Sequence, residues 1–303
     1  MIGIGARGTA APASGSGSSV GALLEELEGV LAAAGVSEAR REAADIVAAA
    51  TDRPRFWPTT HREEILQESR ASAARAAARR RAAGAPFAYA VGQAAFRHLT
   101  LGVDERVLVP RQETEVLVDV ILAECASRRG GIAVDIGTGS GAIALALASE
   151  GSFDRVIATD VSAGALAVAS ANARRLGTAL RAPVEFRAGM LVEPLRGARV
   201  RVVASNPPYI AHGEAFALPR SVRDWEPPVA LYSGETGMTA TAAIVAAAPD
   251  VLEPGGLLAL EVDARRASLA AELALADGRY RDVAVRLDLA GRERILLARR
   301  GDE

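Results

Sequence analysis

Two stretches of the 303-residue chain carry residue types at spacings that chemistry can use. The first is Val134 to Leu147, V-D-I-G-T-G-S-G-A-I-A-L-A-L. An apolar run, Ile132 to Ile136, ends in a turn where Gly137, Gly139 and Gly141 alternate with Thr138 and Ser140, and an alanine-rich helix follows. Glycine permits positive φ and lets a ligand approach the backbone with no Cβ in the way. A helix behind the turn presents free N–H groups and a positive dipole end. Together these make a strand-loop-helix cradle for a nucleotide-like ligand. A dinucleotide fingerprint reads G-x-G-x-x-G; here it is G-x-G-x-G, with Asp135 ahead of the first glycine. The shorter form suits a ligand without a pyrophosphate. S-adenosylmethionine, whose amino acid end lies over such glycines, is the candidate cofactor. Asp160 closes the next apolar run, Val156 to Thr159. In such folds an acid roughly 20 residues past the loop bonds a ribose hydroxyl pair. The competing reading is a structural turn with two solvated acids.

The second stretch is Asn206-Pro207-Pro208-Tyr209-Ile210, which ends a buried-strand pattern, Val200 to Ser205. In an open α/β sheet, ligands bind beyond the carboxyl ends of the strands, so this segment is expected to face the same crevice as Gly137–Gly141. Its residues suit methyl transfer to a planar nitrogen, whose delocalised lone pair is a poor nucleophile. The Asn206 side-chain carbonyl and a backbone carbonyl of the proline pair can accept the two N–H bonds of such a group. Prolines stiffen the loop and cannot donate to the substrate. The Tyr209 ring can pack on a flat amide or base. Catalysis is then positioning plus fixed dipoles, with no strong base required. A proline-stiffened turn with an exposed tyrosine is the alternative.

Composition bounds the rest. Hydrophobic content of 50% and charged content of 24% are those of a globular protein. A net charge of −2 and a pI of 6.1 argue against a broad nucleic-acid face. The single cysteine, Cys125, forms no internal disulfide and reads as a small buried residue of a helix, which fits a reducing cytoplasm. His61, His98 and His212 are scattered, without metal-ligand spacing. No apolar run approaches the ~20 residues that span a bilayer, and the N-terminus does not read as a secretory signal.

These residues need elements to hold them. Residues 1–19, rich in Gly, Ala and Ser, read as a disordered tail. Residues 20–84 read as a small helical domain. Its first helix, from Val20, sets Leu23, Leu24, Leu27, Val30 and Leu31 on one side. Ser37 is expected to cap a second helix. Thr60 with Glu63 forms a capping box for a third that runs to about Ala83. That third helix carries Arg70, Arg75, Arg79, Arg80 and Arg81, a solvated face or a basic surface for a partner. Residues 85–111 alternate in type from Phe87, Tyr89 and Val91 to Val103, and read as a hairpin connector. Arg111 then precedes a helix opened by Glu113 and Glu115. These acids cap it, while Arg111 can orient acids of the site.

From residue 112 to 303, strand and helix alternate. Strands are expected at Ile132–Ile136, Arg155–Asp160, Val184–Arg187, Val200–Ser205, Gly256–Val262, Val283–Leu289 and Arg294–Ala298. Helices are expected at Ala142–Ser149, Ala163–Leu176, Thr239–Leu252 and Ala267–Leu275. The alternation gives an α/β fold, a mostly parallel sheet with helices on both faces. A final hairpin around Gly291 leaves one strand antiparallel.

With these motifs in place, the chain resembles the protein-(glutamine) N-methyltransferases that modify peptide chain release factors. The resemblance runs from about Arg41 to the end. It rests on L-V-P-R-Q-E-T-E (Leu108–Glu115), D-I-G-T-G-S-G, N-P-P-Y-I, R-x-x-E-P-x-x-A-L (Arg223–Leu231) and G-R-E-R. It implies a class I, Rossmann-like methyltransferase domain with a seven-stranded sheet behind an N-terminal helical substrate-binding domain. The implied acceptor is the glutamine of a Gly-Gly-Gln loop in a class I release factor, with a cytoplasmic location and no membrane or stable nucleic-acid partner. Gly137, Thr138, Gly139, Ser140, Gly141, Asp160 and Met190 would hold S-adenosylmethionine. Asn206 would touch cofactor and substrate, while Pro207, Pro208 and Tyr209 would hold the glutamine amide; no metal is implied. Where the family usually has an acid and an aromatic near the adenine, this chain has Gly189 and Met190, and Met190 can cover an adenine face. Where the family has E-x-G followed by glutamine, this chain has Glu261-Val262-Asp263. A paralogue acting on another glutamine, a nucleic-acid adenine N-methyltransferase and a non-catalytic cofactor-binding relative are the alternatives.

Overall fold

The computed structural model describes residues 17–302, in two compact units that divide between Val91 and Gly92. Of the tail expected over residues 1–19, residues 1–16 lie outside the described residues; Ser18 and Ser19 are held in place. The Ser19 Oγ accepts from the Ala22 N–H at 3.2 Å and caps α1 (Val20–Ala33).

The first unit is helical. Leu23, Leu27 and Leu31 of α1 are buried against Ile46 and Val47 of α2 (Ala39–Thr51) and Ala71, Ala74 and Ala78 of α4 (Glu68–Ala82). Val30 sits at the edge of that stripe and is exposed. Ser37 does not cap α2: Glu38 occupies the N-cap, without a side-chain hydrogen bond. The Thr60–Glu63 capping box is absent too. Thr60 ends a single helical turn, α3 (Trp57–Thr60), and its hydroxyl donates back to the Trp57 carbonyl at 3.1 Å. Residues 62–66 run alongside the start of α1 instead. The Arg62 and Glu64 carbonyls accept from the Gly21 and Val20 N–H groups at 2.8 and 2.9 Å, and Leu66 N–H donates to Ser18. These contacts satisfy N–H groups that a helix start leaves open, and they delay α4 to Glu68.

Three arginines of α4 are tied down rather than free. Arg75 pairs with Glu26 and Glu68, Arg81 pairs with Glu42, and Arg70 donates to the Ala50 carbonyl. The expected strand alternation at Phe87, Tyr89 and Val91 is a helix, α5 (Phe87–Val91). The intervening residues are alanines, which favour a helix and give no polar face to a strand.

The second unit opens with an antiparallel hairpin, β1 (Gln93–Phe96) and β2 (Leu99–Gly102), then α6 (Gln112–Glu124). Strands and helices then alternate: β3 (Ile132–Ile136), α7 (Ala142–Glu150), β4 (Arg155–Asp160), α8 (Ala163–Leu176), β5 (Val184–Ala188) and β6 (Val200–Ser205). Two single turns follow, α9 (Arg220–Arg223) and α10 (Pro228–Leu231), and then α11 (Thr239–Ala247). The chain closes with β7 (Leu252–Glu261), α12 (Ala267–Asp277), β8 (Tyr280–Leu287) and β9 (Glu293–Arg300). Helix α11 stops short of the expected Leu252 because Pro249 cannot continue it, and β7 begins correspondingly earlier.

The seven strands run in the order β5-β4-β3-β6-β7-β9-β8, parallel except for β9, which is antiparallel to both neighbours. Side chains alternate between faces along each strand. Ala133, Val202, Ala204 and Leu257 meet α6, α7 and the hairpin on one face. Val134, Val203, Leu258 and Leu260 meet α11 and α12 on the other. Among the described residues no helix is long and apolar enough to cross a membrane.

Candidate active site

Strands β3 and β6 are parallel neighbours, with Ile136 beside Ser205 in register. The loops that leave their carboxyl ends therefore open on the same edge of the sheet. The loop after β3 holds Gly137, Gly139 and Gly141 at φ of 71°, 55° and 87°, a region that disfavours side chains. A Cβ on Gly137 or Gly139 would meet no atom within 4 Å, whereas on Gly141 it would lie 2.9 Å from Leu145 Cδ1. The first two glycines face open space; the third packs its helix tightly.

Acids brace this loop. The Gly139 N–H donates to Asp160 Oδ2 at 2.9 Å, and the Ser162 N–H to Oδ1 at 2.8 Å. Behind it, the fully buried Asp135 accepts from the Thr138 hydroxyl at 2.6 Å and the Ala144 N–H at 3.1 Å, both on Oδ2. Its Oδ1 has no partner among the described residues. Burial, only partly offset by those two bonds, lifts the Asp135 carboxyl up to about 7. Sequence reasoning missed Asn172, whose amide donates to the carbonyls of Ser140 and Gly102 at 2.9 and 3.0 Å. Its signal was a polar residue on the apolar face of α8, with Ala165, Val168 and Ala169.

A cavity of about 240 Å³ lies over the loop. Gly137, Thr138, Gly139, Ser140, Asp160, Met190, Asn206, Pro207 and Pro208 line it; Gly141 and Tyr209 do not. A second cavity, of about 440 Å³, is lined by Tyr209, Ile210, Phe216, Leu218 and Asp263. Asn206 and Pro207 line both cavities, together with Leu108, Arg111 and Ala230. Apart from Gly141, which lines neither, the expected residues thus divide between two adjoining hollows, with the start of the Asn-Pro-Pro-Tyr segment on the wall between them. Met190 is exposed at the first cavity. Beside it, Gly189 has φ of 152°, and a Cβ there would lie 2.4 Å from Pro194 Cγ.

The Asn206 side chain is itself held. Its Nδ2 donates to Thr114 Oγ1 at 2.9 Å, and the Thr114 hydroxyl donates to Glu261 Oε2 at 2.6 Å. Thr114 and Glu261 are buried, and burial pushes the Glu261 carboxyl above the usual range. Burial, with the Glu261 charge adding to it, pushes the Tyr209 phenol up to about 12. Arg111 pairs with the buried Glu226 at 2.6 Å and so joins the segment before α6 to the segment before α10. Glu115 is more than a cap, since its carboxylate also accepts from the Arg97 N–H at 2.9 Å.

A doubly wound sheet with a glycine loop and an Asn-Pro-Pro-Tyr segment at neighbouring strand tips defines a class I methyltransferase. Residues 112–219 match the family model of the methyltransferase small domain, and residues 22–92 that of the PrmC N-terminal domain. The chain is 42% identical over 275 residues to the release factor glutamine methyltransferase of Moorella thermoacetica, covering 90% of this chain and 95% of that one. It is 39% identical to the enzyme of the same name from Nitratidesulfovibrio vulgaris, covering 95% and 98%. A methyltransferase of Pyrococcus furiosus shares the fold, with a TM-score of 0.51 and 21% identity over 68% of this chain and 91% of that one. The chain belongs to the release factor glutamine methyltransferase family.

Proposed function

We propose that the chain transfers a methyl group from S-adenosylmethionine to the side-chain amide nitrogen of a glutamine, in the Gly-Gly-Gln loop of a class I peptide chain release factor. Such an acceptor would set the reaction in the cytoplasm. One observation carries the reading: Asn206 and Pro207 form a wall common to the glycine-loop cavity and the cavity beside Tyr209. A donor site and an acceptor site that meet at one amide are what methyl transfer to a planar nitrogen requires.

The residues present fit the donor. Gly137 and Gly139 leave the loop surface open where a Cβ would otherwise project. Asp160 lines the same cavity with its carboxylate held by two backbone N–H groups, and it keeps lone pairs free for a hydroxyl pair. When bound, S-adenosylmethionine would supply the methyl group from a positively charged sulfur that becomes a neutral thioether as the C–S bond breaks, and the amide nitrogen would give up one of its two protons to solvent as the N–C bond forms. Everything else falls to the chain. The Asn206 Oδ1 and a carbonyl of the Pro207–Pro208 pair accept the two N–H bonds of the glutamine amide. That fixes the nitrogen's direction and favours its pyramidal form. Tyr209, with its phenol pushed up to about 12, stays neutral at physiological pH. It offers a flat wall to the acceptor rather than a base.

The test is incubation with methyl-labelled S-adenosylmethionine and a purified release factor, followed by mass spectrometry of the Gly-Gly-Gln peptide. Label on the glutamine is the expected result, and its absence across a range of concentrations overturns the substrate assignment. Asn206→Ala should lower kcat by about 10²-fold or more, the scale of losing one preorganised partner of a transition state, while cofactor affinity changes far less. Unaltered turnover would refute the role given to Asn206.

A further inference from the structure

We infer that Thr114 and Glu261 are positioning residues that fix which way round the Asn206 amide sits, and hence which of its atoms faces the cavities. The inference rests on the reading that Asn206 Oδ1 accepts from the glutamine amide.

The Thr114 hydroxyl has one hydrogen and two lone pairs. Its oxygen lies 2.6 Å from Glu261 Oε2 and donates that hydrogen to it. Only lone pairs of Oγ1 then remain for Asn206, at 2.9 Å, so the NH₂ end of the amide must face Thr114. The carbonyl end is left for the acceptor. The reverse orientation would set an NH₂ against the N–H of the substrate amide, donor against donor. The chain of bonds decides between the two.

Topology makes the arrangement stiff. Asn206 and Glu261 follow Ser205 and Leu260, which lie in register on the parallel strands β6 and β7. Thr114 comes from the first turn of α6 and closes the triangle. A buried carboxylate is a poor stabiliser, since an apolar side chain of like size often serves the fold as well. Orientation of Asn206 gives Glu261 a task that an apolar residue could not perform.

Single-turnover kinetics with a purified release factor and S-adenosylmethionine test this. Thr114→Val keeps the shape and removes the hydroxyl. Its rate should fall about tenfold, the scale of one mis-set buried hydrogen bond, while KM for the release factor and Kd for the cofactor stay within about twofold. Thr114→Ser should recover most of the rate. In an Asn206→Ala background, Thr114→Val should cause no further loss. A wild-type rate for Thr114→Val, or an equal fold-loss in both backgrounds, overturns the inference while the loss in Asn206→Ala stands. A wild-type rate for Asn206→Ala overturns the acceptor reading and this inference with it. Should Thr114→Val strand the Glu261 charge and fail to fold, Thr114→Val/Glu261→Gln removes that charge and reads the same coupling.

Discussion

Asp160 shows how one side chain carries two demands. Its oxygens hold the Gly139 and Ser162 N–H groups, and the same residue lines the cavity over the glycine loop. Asp160→Ala should therefore weaken S-adenosylmethionine by about tenfold or more, as loss of a charge-assisted hydrogen bond does, with kcat at saturation less affected. Calorimetry giving an unchanged Kd would refute the assignment. Gly189 makes the opposite case. The family's acid is missing there, and restoring it looks attractive from sequence alone. The backbone lies at φ 152° with Pro194 against the vacant Cβ position, so an acid forces the segment to move. Gly189→Asp should weaken cofactor binding, and a tighter Kd would show that the segment yields freely. That Asn206, Gly139 and Asp160 line one cavity was legible because their types sit at strand ends. Thr114 and Glu261 were not, because neither type nor spacing reveals a hydrogen bond between residues so far apart in the chain.

At the scale of elements, the strands that carry the site were legible almost to the residue. β3, β4 and β6 are short, mainly apolar runs bounded by polar turns, and buried parallel strands read that way. The start of α1 was legible too, but those of the second and third expected helices were not. Capping rules describe a helix whose open N–H groups must find side chains, but at α1 the backbone of residues 62–66 supplies partners as well. That use of the segment displaced the expected start at Thr60. Gly141 combines φ 87° with contacts of 2.9 Å to Leu145 and 3.2 Å to Ala169. Gly141→Ala should lower stability by about 1–3 kcal/mol, from strain and overpacking together. A urea midpoint equal to that of the wild type would show that α7 and α8 can part without cost.

For the molecule as a whole, pH dependence follows from Asp135. Its carboxyl ordinarily titrates near 3.8 and is lifted to about 7 in the folded state, chiefly by burial. The folded chain thus holds this proton more tightly than the unfolded one. The contribution to stability is complete below the unfolded value and is lost as pH rises to about 7. Asp135→Asn has no proton to lose. Between about pH 5 and pH 8 its melting temperature should fall less than that of the wild type; parallel curves would show that Asp135 is ionised throughout. The sequence by itself determined the order of strands and helices, the two loops and the kind of chemistry they serve, because periodicity and turn chemistry act over a few residues. Only the tertiary structure decided that β6 lies between β3 and β7, that Asn206 stands on a wall between two cavities, and that Thr114 and Glu261 hold it. Such partners are chosen by packing, which brings residues 114, 206 and 261 together without leaving a pattern in any one stretch of chain.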